Sequence, residues 1–149
     1  MPVPVEVRQR GQALIEMALV LPIILVFLIV IVDFGFAFDR REVIQHAVRE
    51  GARSAAVGTD VVAVEALTAK QSGDIFNTVT NPVTVCYVDG TDSGVYPGNA
   101  GDSVQVSGEY MYDFIIGSGA FLSGAIPGIK MTPSSQARLE KTVLGAGTC

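Results

Sequence analysis

The stretch that decides the fold is RGQALIEMALVLPIILVFLIVIVDFGFAF, residues 10–38. Ala18 to Val32 contains no charge over fifteen residues, and Ala13 to Phe38 adds up to 26 residues dominated by Leu, Ile, Val and Phe. At about 1.5 Å per helical residue this crosses a hydrocarbon core of roughly 30 Å with turns to spare. A cleaved secretory signal has a shorter apolar region followed by small residues, and Val30-Ile31-Val32-Asp33-Phe34 offers none. The segment is therefore expected to stay in the bilayer. Two of its residues are unusual. Glu16 places a carboxylate where insertion costs roughly 2.5–3.5 kcal/mol, so it needs a partner or a purpose. Pro22 has no amide proton and deprives the Ala18 carbonyl of its helical partner, so the helix is expected to kink or loosen there.

Past Asp33 the all-apolar pattern gives way to an amphipathic one. Val43, Ile44, Ala47, Val48, Gly51, Ala52, Ala55 and Ala56 recur at helical spacing, with Gln45, His46, Arg49, Glu50, Arg53 and Ser54 between them. No proline or turn cluster interrupts the path, so one helix is expected from Ala13 to Val57, roughly 68 Å long at about 1.5 Å per residue. Gly58 suits its C-cap, where a left-handed residue is needed. The small face at Gly51, Ala52 and Ala55 lets another backbone approach closely. Its expected use is packing against the rest of the chain; contact with a neighbouring subunit's helix is the alternative.

From Thr59 onward the sequence is rich in Gly, Ser, Thr and Asp. Thr59 or Asp60 can cap a short helix through residues 61–70, ended by Ser72-Gly73. Then the period falls to two. Val83–Val88, Ser103–Ser107 and Ser135–Glu140 read as strands, and Glu109–Phe114 as an extension of the second beyond a bulge near Gly108. Residues 89–101 are turn-rich, and the apolar loop Gly117–Gly128 either covers the sheet or presents Phe121, Leu122 and Ile126 outward. The fold class is α+β: a long transmembrane and amphipathic helix, then a small head of one short helix plus antiparallel sheet. The organisation is 12–38 transmembrane, 39–58 amphipathic continuation, and 59–149 extracytoplasmic head.

Charge follows the same division. Residues 1–59 balance six arginines against six acids, whereas residues 60–149 hold four Lys or Arg against nine acids. An acidic head argues against nucleic acid, whose phosphates demand a basic surface. Arg8 and Arg10 precede the span and Arg40, Arg41, Arg49 and Arg53 follow it, a bare count that favours a cytoplasmic head. The late arginines are accompanied by Asp39, Glu42 and Glu50, and the two cysteines, Cys86 and Cys149, both lie in the head. An external head is expected, with one disulfide permitted by an oxidising compartment.

Catalytic patterns are not legible. His46 is the one histidine, so no Ser-His-Asp set can be built, and the cysteines have no zinc-like company. Asp89-Gly90-Thr91-Asp92-Ser93-Gly94 lacks the spacing and closing Glu of a calcium loop. No glycine pattern fits a phosphate or dinucleotide site, so neither an enzyme nor a cofactor is expected.

Three blocks carry a resemblance. Gly11-Gln12-Ala13-Leu14-Ile15-Glu16-Met17-Ala18-Leu19-Val20-Leu21-Pro22, then Val32-Asp33-Phe34-Gly35, then Ala47-Val48-Arg49-Glu50-Gly51-Ala52-Arg53 follow one another as in the TadE-like family, minor pilins or pseudopilins of tight-adherence type IV pili. Met17 stands where that family usually has Phe. The resemblance implies that residues 1–11 are a basic leader removed by a prepilin peptidase after Gly11. Gln12 then becomes the first residue and Glu16 the fifth. It further implies transfer to an inner-membrane assembly platform alongside sibling pilins, for adhesion or secretion. For Glu16 it implies a charge pair with the new amino group of Gln12 in a neighbouring subunit.

Overall fold

The computed structural model describes residues 6–77, 80–88, 100–115, 128–141 and 147–148. The Asp89–Gly94 stretch, Phe121, Leu122 and Ile126 of the apolar loop, and Cys149 lie outside the described residues.

Helix α1 runs unbroken from Glu6 to Ala56, 51 residues, with Pro22 inside it. Among the described residues, the head packs on its second half. From Leu14 to Val32 the large apolar side chains are exposed apart from half-buried Val30, whereas Ile44, Ala47, Val48, Ala52 and Ala55 are buried. The change from all-round apolar to one-sided apolar composition coincides with the point where the head begins to cover the helix. At the top, Gly58 takes φ +94°, the left-handed conformation that lets the chain turn back.

Helix α2, Val61–Gln71, is capped by Asp60, whose carboxylate accepts from the Val62 amide at 3.2 Å. It ends at buried Ser72, whose hydroxyl donates to the Ala69 carbonyl at 2.6 Å and accepts from the Phe76 amide at 3.1 Å. Those two bonds aim the Phe76 ring into the core.

The head's main sheet comprises β1 (Val83–Val88), β2 (Ser103–Gly108), β5 (Ser134–Arg138) and β6 (Gly147–Thr148), in the order β5-β2-β1-β6. β2 is antiparallel to β1 and β5, and β6 is parallel to β1. Val85 and Tyr87 of β1, with Val104 and Val106 of β2, project from one face onto α1 and α2. This is the alternation expected of strands half-buried on a helix layer.

Residues Glu109–Phe114 do not extend β2. Tyr110–Tyr112 forms β3, which pairs with β4, Ile129–Met131, in a separate two-stranded antiparallel sheet. The reason lies at Gly108, whose amide donates to the Pro133 carbonyl at 3.1 Å. A Cβ there would stand 2.6 Å from the Phe76 ring, so only glycine lets the chain pass and redirect. The architecture is α+β and pilin-like: a long apolar helix, a short helix and small, mainly antiparallel sheets.

Candidate functional site

Two places on α1 concentrate polar residues against the apolar background. The first is the N-terminal stretch around Gly11. Gly11 lies within the helix, and a Cβ built on it meets nothing within 4 Å. A mid-helix glycine costs roughly 0.5–1 kcal/mol relative to alanine, and here no close packing compensates. Gln12 and Glu16 sit one turn apart on the exposed helix surface, the Gln12 amide donating to the Glu16 carboxylate at 3.1 Å. Pro22 follows inside the same continuous helix.

The second place is the junction of stalk and head. Asp33, only 1% exposed, is covered where β3 crosses α1. The Tyr112 hydroxyl donates to a carboxylate oxygen of Asp33 at 2.8 Å and approaches its main-chain carbonyl at 3.2 Å. Around this pair, Phe114 packs on Phe34 with ring centroids 5.5 Å apart, and Tyr112 meets Phe114 edge-on at 5.4 Å. Ala37, one turn above Asp33, is buried in the same cluster. Burial, the hydrogen bond to Asp33 and the nearby Asp33 charge push the Tyr112 phenol up to about 12. The phenol is thus held in its proton-donating form. Sequence reading registered Asp33 as the end of an apolar run and missed this function. The one available signal was a charged residue directly beside an apolar span, which by default asks for a partner.

Farther up the helix, the small face meets the head. A Cβ on Gly51 would collide with the Thr68 hydroxyl of α2 and come within 3.3 Å of Val106 of β2. Ala52 and Ala55 are buried in the same core. This is close packing of α1 on the chain's own α2 and β2.

In the sheet, Cys86 is 2% exposed on β1 and is paired in register with Gly147 of β6. His46 lies exposed on α1. Among the described residues no cluster of His, Cys, Asp or Glu is arranged to hold a metal ion.

The helix from Gly11 to Ala56 is long and apolar enough to cross a membrane. Residues 11–53 match the family model described as TadE-like protein, a range that starts at the glycine and ends in the last turns of α1. Over that segment the chain resembles TadE-like proteins, and its long apolar helix fits single-pass membrane anchoring. No curated protein and no solved structure matches the chain.

Proposed function

We propose that the chain is a minor pilin or pseudopilin, cut by a prepilin peptidase between Gly11 and Gln12 and used in assembling a Tad-type type IV pilus for adhesion or secretion. The observation that carries this reading is the pair Gly11 and Glu16. The fold gains nothing from a glycine at 11, which has open space around it, and Glu16 projects from the exposed apolar half of α1. Both choices are costly to an isolated helix, and both make sense for partners outside the chain. Gly11 is the recognition residue of the peptidase. Glu16 pairs with the amino group that cleavage creates on Gln12 of a neighbouring pilin, which removes the cost of a lone acid in lipid and sets axial register.

In this reading the protein waits in the inner membrane, head outside the cytoplasm, until an assembly platform adds it to sibling pilins. Its role is structural rather than catalytic. An external head also suits a Cys86–Cys149 bridge, and the parallel pairing of Gly147 with Cys86 supports it by bringing the chain end beside β1. Such a closure would stabilise the head by about 4 kcal/mol through loop entropy. Intact mass with and without reduction tests it: two alkylatable thiols in the unreduced protein would remove the bridge.

The decisive experiment is N-terminal sequencing of the protein recovered from membranes containing a prepilin peptidase. A start at Gln12 is expected. An intact Met1 would overturn the proposal in favour of an uncleaved, membrane-anchored binding protein.

A further inference from the structure

The β3–β4 ladder carries exposed apolar side chains toward one end, and the position of that end on α1 identifies what it faces. Met111 of β3, Ile115 just past β3, and Ile129 of β4 are 50%, 53% and 43% exposed. Ile129 is paired with Tyr112 and shares the ladder face that meets α1 at Asp33 and Phe34. Met111 is paired with Lys130 on the opposite face, and Ile115 follows β3, so the three flank the end of the ladder from both sides. Counting along the helix, Ala13 to Val32 is 20 residues. That corresponds to roughly 30 Å, the thickness of a hydrocarbon core, so the core ends where the ladder begins.

The chemistry around the ladder grades in the same direction. A cleft of about 470 Å³ between α1 and β4 is walled by Phe34, Phe38 and Ile129, with Arg41 and Lys130 also lining it. Phe34 lies next to the span and Arg41 two turns above it, an apolar-to-cationic order that matches the passage from acyl chains to phosphates. Lys130 also holds Glu109 at 2.8 Å on the outer side of the ladder. Asp113 is exposed between Met111 and Ile115, which sets a limit on depth: the ladder suits the headgroup layer, not the hydrocarbon.

We propose that the β3–β4 ladder is a foot by which the head rests in the headgroup layer of the bilayer, Met111, Ile115 and Ile129 being its lipid contacts. The proposal rests on α1 spanning the membrane and is independent of whether Gly11 is cut. The exposed apolar side chains on both sides of the ladder's end thereby adjoin the exposed apolar stretch of α1.

The chain contains no tryptophan, so single Trp variants report without background. The full chain with Met111→Trp, Ile129→Trp, Ile24→Trp or Val62→Trp would be reconstituted into phosphatidylcholine vesicles without bromine, with bromine near the top of the acyl chains, or with bromine near their ends, the last serving Ile24→Trp. Ile24→Trp monitors the span. Val62→Trp monitors the far side of the head, where the native residue is 71% exposed on α2. Met111→Trp and Ile129→Trp are expected to lose about twofold or more of their emission to bromine, as befits side chains at the headgroup boundary, while Val62→Trp is unaffected. Quenching of Ile24→Trp with none at 111 and 129 would overturn the foot while leaving the span intact. Emission at 111 and 129 that shifts with subunit concentration but ignores bromine would give the face to another protein and also overturn it. Loss of quenching at Ile24→Trp would sink the membrane reading beneath both.

Discussion

Tyr112 donates its phenolic proton to Asp33 across 79 residues of sequence, at 2.8 Å, in a site that water scarcely reaches. One bond thus joins the middle of α1, just past its exposed apolar stretch, to the β3 edge of the head. A carboxylate at that depth is tolerable because a neutral donor meets it and aromatic rings close around it.

Replacing Tyr112 by Phe keeps the ring contacts but withdraws this donor from a buried acid. The head should lose about 1–3 kcal/mol of stability, read from denaturant unfolding in detergent micelles. Asp33→Asn still offers an amide oxygen to the phenol and should cost less. Equal losses in the two variants would show that the bond, as opposed to the charge, is not what matters.

The raised phenol gives a signed pH dependence. Tyr112 ionises at about 12 in the folded protein against an ordinary value of about 10. A group whose folded value is raised favours its protonated form in the fold, so its stabilising contribution is complete below pH 10. It is lost as pH climbs from 10 through 12. Subtracting the phenolate absorbance titration of Tyr112→Phe from that of the native protein should isolate one late phenol. A difference curve centred at or below pH 10 would remove the coupling to Asp33.

Glycines on α1 should separate into two kinds. Gly51→Ala drives a methyl into Thr68 and should destabilise the head by about 1–3 kcal/mol. Gly35→Ala and Gly11→Ala meet nothing within 4 Å and should be neutral, or stabilising by up to about 1 kcal/mol, in thermal unfolding. If the pilin reading holds, Gly11→Ala nevertheless blocks processing on an immunoblot, a defect with no folding counterpart.

Glu16→Ala is expected to leave cleavage and head stability unchanged while preventing entry into sheared pili. Wild-type incorporation of that variant would discard its role in register.

Residues with local patterning were legible before the structure. The apolar run and the amphipathic stripe specified α1 from Ala13 onward but not its first turns from Glu6, Thr59-Asp60 marked the start of α2, and alternation located β1, β2 and most of β5. What escaped was non-local or too short to have a period. Ile129–Met131 sits between Gly128 and Thr132-Pro133 with room for only three strand residues. Gly147–Thr148 is two residues long, too short to show a period, and pairs with β1 far away in sequence. Gly108 looked like a bulge because the sequence could not show Phe76 passing beneath it. At the candidate site, Gly11 and Glu16 were visible through spacing. The Asp33–Tyr112 pair was not, because neither residue's surroundings announce the other.

Gln45 donates to the Ser134 carbonyl, and Glu140 donates its amide to Ala56 at the top of α1, so head and helix are joined along their length as well as at Asp33. From Asp33 to Ala56 that seam covers about 36 Å at the helical rise. A pull applied along α1 from its lipid end therefore loads the seam in shear, with buried side chains and hydrogen bonds resisting together instead of unzipping one by one. The head is mounted on its stalk in a geometry that resists tension by shear.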